Sequence, residues 1–218
     1  MRILITGATG LVGQAVLATS LEAADVAAVT VLGRRATGLE DPRLDEVLVA
    51  DFLALDAVES RLQGFDACLY CAGAPPLGTR EDDYRRVTVD ATVHVARTLA
   101  ARNPSLVFVY VSGANADAGS RLMPLRVKGE AEDALRGLPL RTVMVRPGGI
   151  QPVGGERSPH PGLAAIYRVA GPLMGIGVRL MPQVMTTTGR VARTLLAAAR
   201  MPDPPAIIEN ADINRLGG

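Results

Sequence analysis

Three glycines at a spacing of three are the first residues in this sequence whose pattern could do chemistry. Gly7, Gly10 and Gly13 follow a short apolar segment that begins at residue 2, and a helical pattern of apolar residues runs from about 11 to 21. A glycine turn between a strand and a helix presents free main-chain N–H groups and a favourable helix dipole to an anion. The pattern predicts a binding turn for a dinucleotide pyrophosphate, formed by Gly7, Thr9, Gly10, Leu11, Val12 and Gly13. In this prediction Gly10 allows the backbone to approach the phosphate, and Gly13 allows the helix to pack on the strand.

Two consecutive arginines, Arg34 and Arg35, follow a second predicted strand at 28–32. In a dinucleotide-binding sheet this strand end faces the adenosine ribose, where an acidic residue selects NAD and an arginine suits a 2′-phosphate. Two arginines without an acid therefore favour NADP(H) over NAD(H). The alternative is that both are solvated charges on a turn.

Two further strand ends offer contacts for the same ligand. Asp51 and Phe52 follow the third predicted strand, 46–50, at a position beside the adenine ring. Asp51 either accepts a hydrogen bond from the adenine amino group or caps the helix predicted at about 55–62, and the sequence leaves both open. Small residues follow the fourth predicted strand and would let a ribose lie against the backbone; they are Cys71, Ala72 and Gly73.

The cysteines of this chain, Cys68 and Cys71, have the spacing of a redox or metal-binding pair. They lie in an apolar segment that is typical of a buried strand. Positions three apart on a strand point to opposite faces, so the two thiols cannot readily close on each other. We expect two separately packed core cysteines and no metal site.

The elements that must position these residues alternate between strands and helices. A helix is predicted at about 82–102, a strand at 106–111, a helix at 122–135 and a strand at 140–145. A loop at 151–161, a broken helix at 163–174, a helix at 188–200 and a short strand at 206–209 complete the chain. This order predicts an α/β fold: a doubly wound, three-layer parallel sheet (Rossmann) forming a single domain over residues 1–218, with small C-terminal elements on the substrate side.

Composition excludes several classes of partner. The 218 residues carry a net charge of +1, which gives no basic footprint for nucleic acid or an anionic membrane surface.

Arg2 is followed by a strand and not by the long apolar region of a signal peptide. Arg168 and Pro172 interrupt the apolar stretch 162–178, which argues against a membrane span. We expect a cytoplasmic location, with an unknown small-molecule substrate or a protein partner and an open oligomeric state.

The sequence resembles the atypical members of the short-chain dehydrogenase/reductase superfamily along nearly its whole length. Residues 6–13 match the TGATGxxG fingerprint, and residues 89–92 stand where many members have a Val-Asn stretch. The segments 126–130, 146–148 and 208–213 are similar to the Tat-interacting-protein-like subgroup. The resemblance implies hydride transfer between a nicotinamide cofactor and a carbonyl or alcohol substrate, with Pro147 and Gly148 among the cofactor contacts.

The resemblance also implies a YxxxK pair, in which the tyrosine exchanges a proton with the substrate and the lysine holds the nicotinamide ribose. Lys128 matches the lysine and is the only lysine of the chain, but Pro124 stands at the tyrosine position. Ser112 lies slightly early for the catalytic serine. We therefore assign Lys128 to the cofactor and name Lys128 and Ser112 as the catalytic candidates, the alternative for Lys128 being a chance surface position.

Three functions remain open at this point. The first is an NADP(H)-dependent oxidoreductase whose proton donor is Ser112, Tyr84, Tyr167 or water. The second is a non-catalytic NADP(H)-binding sensor or protein-interaction module. A sugar-nucleotide epimerase or dehydratase ranks last because it needs the same missing tyrosine. The polar residues expected on the substrate wall are Arg157, His160, Tyr167 and Arg168.

Overall fold

A computed structural model describes residues 1–156, 177–178 and 181–218. The proposed substrate-wall residues Arg157, His160, Tyr167 and Arg168 lie outside the described residues, together with the predicted broken helix at 163–174 and residues 157–161 of the predicted loop at 151–161. Tyr167 therefore stays an untested candidate for the proton donor.

The main sheet has seven parallel strands, which confirms the predicted α/β class. Its strands are β1 (Arg2–Thr6), β2 (Ala28–Gly33), β3 (Leu44–Leu48), β4 (Ala67–Tyr70), β5 (Val107–Val111), β6 (Arg141–Arg146) and β9 (Ile207–Glu209). They lie in the order β3-β2-β1-β4-β5-β6-β9, and every neighbouring pair is parallel. Successive strands are added to one side of β1 as far as β3, and to its other side from β4 onward. This change of side leaves a crevice between β1 and β4, outside the carboxyl ends of the strands. Open α/β sheets bind ligands in such a crevice.

Helices cover both faces of the sheet. They are α1 (Leu11–Glu22), α2 (Glu81–Arg85), α3 (Ala91–Arg102), α4 (Met123–Arg136), α5 (Thr188–Arg200) and α6 (Asn210–Leu216). The core on one face joins α1 and α5 to side chains such as Ile3 and Ile5, and the core on the other face joins α3 and α4 to Leu4. Because β1 is buried on both sides, its sequence is a continuous apolar run instead of an alternating one.

Several elements differ from the predictions. The segment predicted as a helix at 55–62 is a 3-10 helix over Asp56–Arg61, and a π-helical segment, Arg86–Asp90, joins α2 to α3. A second sheet pairs β7 (Gly149–Gln151) with β8 (Met185–Thr187) in parallel. Each of these two strands has three residues, which is too short for any periodicity to be read from the sequence. Helix α6 was also not predicted.

The cysteines occupy different core layers, as predicted. Cys68 packs in the layer under α3 and α4, whereas Cys71 packs against the layer under α1 and α5. Burial raises the pKa of both thiols, that of Cys71 to about 12. Both are free thiols, and a buried thiol with a raised pKa is a weak nucleophile.

Candidate functional site

The glycine turn after β1 is fixed by close contacts between main-chain atoms. Gly7 has a φ of +69°, and a Cβ atom on it would lie 2.6 Å from the Ala72 nitrogen, at the end of β4. A Cβ on Gly13 would overlap the Gly7 carbonyl oxygen. Gly13 therefore does what the sequence predicts: it brings α1 against the end of β1. Helix α1 starts directly after Gly10, whose N–H donates to the Gly7 carbonyl at 2.8 Å.

A pocket of about 300 Å³ opens between this turn and the ends of the neighbouring strands. Most of the predicted cofactor residues line it together: Gly7, Thr9, Gly10, Arg34, Arg35, Asp51, Phe52, Cys71, Ala72 and Gly73. Leu11, Val12 and Gly13 do not line the pocket but form the first turn of α1. The first N–H groups of a helix have no acceptor within that helix, so this turn can contribute main-chain donors.

Charge around the pocket is mainly positive. Arg34 and Arg35 are exposed, and neither makes an ion pair or a hydrogen bond with any described residue. Arg86 also lines the pocket, and its Nη2 lies 2.6 Å from Asp51 Oδ2. Asp51 is the only carboxylate among the described lining residues. The pocket therefore carries three guanidinium groups and one carboxylate.

Asp51 does not cap the helix that follows it. The 3-10 helix begins at Asp56 after Leu55, and Asp51 Oδ1 instead accepts a 3.0 Å hydrogen bond from the Leu53 N–H. This bond and the Arg86 guanidinium hold the pKa of Asp51 below its usual value. The carboxylate is therefore ionised and fixed at the rim of the pocket. Its contact with adenine stays a prediction.

A second group of candidates lies at the end of β5, and neither Ser112 nor Lys128 lines the pocket beside the glycine turn. The Lys128 ammonium donates to the Ser112 carbonyl at 2.8 Å and lies 3.4 Å from the Val111 carbonyl. It also lies 5.6 Å from the centre of the Tyr110 ring. Burial lowers the pKa of Lys128 to about 8, while the charge of Glu132 opposes this shift. The position is not a chance surface one, because this ammonium has specific partners.

The hydrogen bonds that Ser112 makes with other described residues come from its main chain and not from its hydroxyl. Its N–H donates to the Val145 carbonyl at 2.8 Å and its carbonyl accepts from Lys128. The Ser112 Oγ is buried and has no hydrogen-bond partner among the described residues. A Cβ on the next residue, Gly113, would lie 3.2 Å from Lys128 Cδ, so glycine leaves room for the lysine chain.

The tyrosine position of the YxxxK pair is occupied by a helix start. Pro124 lies in the first turn of α4, where its missing N–H costs no helical hydrogen bond and its fixed φ suits the helix. Tyr84, the other candidate within the described residues, is 1% exposed, and burial raises its pKa. It packs in the core and does not line the pocket. Tyr84 is therefore not placed to serve as the proton donor.

Pro147 and Gly148 follow β6 and do not line the pocket. The Gly148 N–H donates to Asn210 Oδ1 at 2.8 Å, and a Cβ on Gly148 would overlap the Val184 carbonyl oxygen. The Pro147 carbonyl accepts from the Ala114 N–H at 2.9 Å. These contacts give Pro147 and Gly148 a role in holding the end of β6 in place. Their part in cofactor binding stays a prediction.

Comparison with known proteins bears on the same part of the chain. The model of a family described as NAD(P)H-binding matches residues 7–159, which contain the glycine turn, the pocket residues, Ser112 and Lys128. The chain belongs to this NAD(P)H-binding family. The match supports a nicotinamide cofactor and does not separate NAD from NADP.

Curated relatives extend the family assignment. "Protein FMP52, mitochondrial" of Chaetomium globosum is 25% identical over 98% of this chain and 96% of its own length. "Protein HTATIP2" of Rattus norvegicus is 32% identical over 67% of this chain and 61% of its own length. "Leucinostatins biosynthesis cluster protein T" of Purpureocillium lilacinum is 30% identical over 62% of this chain, which spans about half of that relative. The chain is thus an atypical short-chain dehydrogenase/reductase related to the Tat-interacting-protein-like subgroup.

Solved structures show the same fold. A thiolation-reductase di-domain from an archaeal non-ribosomal peptide synthetase superposes with a TM-score of 0.73 at 17% identity, covering 95% of this chain and 70% of the other. A UDP-glucuronic acid 4-epimerase from Bacillus cereus in complex with NAD gives a TM-score of 0.69 at 15% identity, covering 96% and 76%.

The prediction of a cytoplasmic location is wrong. Relatives that match 98% of this chain, from Chaetomium globosum and Neosartorya fischeri, are named as mitochondrial proteins. Separately, none of the helices in the described ranges has the length and apolar character needed to cross a bilayer.

Proposed function

We propose that this protein is an NADP(H)-dependent oxidoreductase that acts on a carbonyl or alcohol substrate. The observation that carries the proposal is the pocket beside the glycine turn, where Arg34 and Arg35 have no ion-pair partner among the described residues. A guanidinium forms paired, charge-assisted hydrogen bonds with a phosphate, so two such groups at the adenosine end suit the 2′-phosphate of NADP. Lys128 does not line this pocket, and we assign it to the nicotinamide end of the cofactor.

Lys128 is the residue that we assign to proton transfer. When bound, the nicotinamide supplies or accepts the hydride. Two main-chain carbonyls orient the Lys128 ammonium, at 2.8 and 3.4 Å, and leave it a third N–H for a ligand. Because its pKa is about 8, the ammonium can release a proton near neutral pH, as a general acid must. In reduction it would protonate the substrate oxygen, and the neutral amine would then regain a proton from solvent.

Turnover of NADPH tests this function. Purified protein is incubated with NADPH and a panel of aldehydes, ketones and quinones, and cofactor absorbance is followed. We expect oxidation with at least one class of carbonyl and its loss in Lys128→Met. NADPH binding without turnover across the panel would contradict the oxidoreductase assignment.

A second candidate function is NADP(H) binding without chemistry. The observation that favours it is Pro124 in the first turn of α4, which removes the phenol that the family uses. Such a protein would bind NADPH and change its affinity for a partner, with no hydride transfer. Pro124→Tyr would then create or restore reductase activity in a decayed site, whereas robust turnover by the wild-type protein would dismiss this candidate.

A further inference from the structure

The π-helical segment between α2 and α3 directs three residues to the pocket. The Ala91 N–H donates to the Arg86 carbonyl, five residues earlier, as in a π-turn. Arg86, Val87 and Ala91 all line the pocket beside the glycine turn. Single π-turns within helices often occur at functional sites because they change which side chains share a face. None of these three residues belongs to the motif that predicts the pocket.

Arg86 forms an ion pair with the carboxylate of that pocket. Its Nη2 lies 2.6 Å from Asp51 Oδ2, and the two side chains are 57% and 45% exposed. The Arg34 guanidinium is close enough to Asp51 to contribute to lowering the pKa of the carboxyl. An ionised Asp51 therefore acts on the same region of space as Arg34, and without a partner it would oppose an anion bound there.

We propose that Arg86 strengthens the preference for NADP(H) by neutralising Asp51. With the carboxylate paired, Arg34 and Arg35 are left to attract the 2′-phosphate of NADP. The inference rests on the proposed NADP preference and adds a residue to it: Arg86 acts through Asp51 and not on the phosphate itself. Loss of Arg86 should weaken the binding of NADPH and not that of NADH, because NADH has a ribose hydroxyl where NADPH has a phosphate.

Loss of Arg86 should change the affinity for NADPH only modestly, because the Arg86 and Asp51 side chains are both exposed. Solvent screens interactions between exposed charges, so loss of Arg86 should weaken NADPH binding by about two- to fivefold. The Debye length shortens to roughly 3 Å at 1 M salt, so the selective loss should shrink as salt is added. NADH affinity should stay unchanged in both conditions.

A double-mutant cycle tests the inference. Affinities for NADPH and NADH are measured by fluorescence titration for the wild-type protein, Arg86→Met, Asp51→Asn and the double variant. We expect Arg86→Met to weaken NADPH selectively, and Asp51→Asn to restore NADPH binding in that background. Arg86→Lys should keep most of the preference because it keeps the charge. Arg97→Met removes an exposed arginine of α3 that does not line the pocket, and serves as the matched control.

The outcomes separate this inference from the function on which it rests. Equal weakening of both cofactors in Arg86→Met would overturn it, and so would failure of Asp51→Asn to restore NADPH binding, since Arg86 would then act on the ligand directly. A ratio of NADPH to NADH affinity that is the same in Arg86→Met as in the wild-type protein would overturn the inference alone. A wild-type protein that does not prefer NADPH to NADH would contradict the proposed NADP preference as well.

Discussion

The Lys128 ammonium is held 2.8 Å from the carbonyl oxygen of Ser112, although the tyrosine that usually works with such a lysine is absent. Lys128 matches the lysine of the YxxxK pattern, whereas position 124 is a proline in the first turn of α4. The residues proposed for cofactor binding are therefore present in the described part of the chain, and the proposed function assigns proton transfer to Lys128 in place of a tyrosine.

The first prediction concerns how turnover depends on pH. Since the pKa of Lys128 is about 8, the ammonium that donates the proton disappears as the pH rises through this value. Carbonyl reduction should therefore fall above pH 8, and Lys128→Arg should lower kcat strongly at every pH because a guanidinium does not release its proton in this range. The measurement is kcat against pH for both proteins. A limb at the same pH in Lys128→Arg would assign it to another group.

The second prediction concerns stability and the same lysine. In the unfolded chain its pKa is about 10.4, so between pH 8 and 10 the unfolded state binds more protons than the folded state. The contribution of Lys128 to the free energy of unfolding must then rise with pH between pH 8 and 10, by less than about 1.4 kcal/mol per pH unit. Chemical denaturation of the wild-type protein and Lys128→Met across this range gives the difference. Parallel curves would show that Lys128 is not perturbed.

The third prediction concerns the buried carboxylate of Glu132. It is 0% exposed and accepts from Arg146 at 2.9 and 2.6 Å and from Arg136 at 2.9 Å. Glu132→Gln leaves Arg146 with the more exposed Glu209 as its ionic partner and should cost up to about 3 kcal/mol of unfolding free energy. Glu130→Gln on the same helix breaks only an exposed pair with Arg85 and should cost less than about 1 kcal/mol.

The effect of Glu132→Gln on Lys128 provides an independent check. The Glu132 charge raises the pKa of Lys128, so its removal should lower that pKa further. The alkaline limb of kcat should move to lower pH in Glu132→Gln and stay in place in Glu130→Gln. An unmoved limb in Glu132→Gln would contradict the coupling.

The fourth prediction concerns the packing of the glycine turn. A methyl group on Gly13 would overlap the Gly7 carbonyl oxygen, which is main chain and cannot move aside as a side chain does. Gly13→Ala should destabilise the protein by about 1–3 kcal/mol and weaken both cofactors, because α1 must shift. Gly73→Ala adds a methyl with no atom within 4 Å and should leave stability unchanged. Thermal unfolding of the two variants measures the contrast; equal stability would contradict the packing argument.

The sequence predicts the strand ends well because buried parallel strands are continuous apolar runs bounded by polar or glycine residues. The third strand was predicted two residues late, at 46–50 instead of Leu44–Leu48, an offset that keeps every side chain on its correct face. What could not be predicted depends on tertiary contacts. The Arg86–Asp51 ion pair and the Gly148–Asn210 hydrogen bond have no periodic signal, since each joins segments that are distant in sequence.

Titration with NADPH and NADH tests the central claim, namely that the pocket binds NADP(H) through Arg34 at the adenosine end. We expect the wild-type protein to bind NADPH more tightly, and Arg34→Asp to weaken NADPH by tenfold or more while NADH changes little, because the arginine meets only the 2′-phosphate. Equal weakening of both cofactors, or a wild-type protein without a preference for NADPH, would contradict the account.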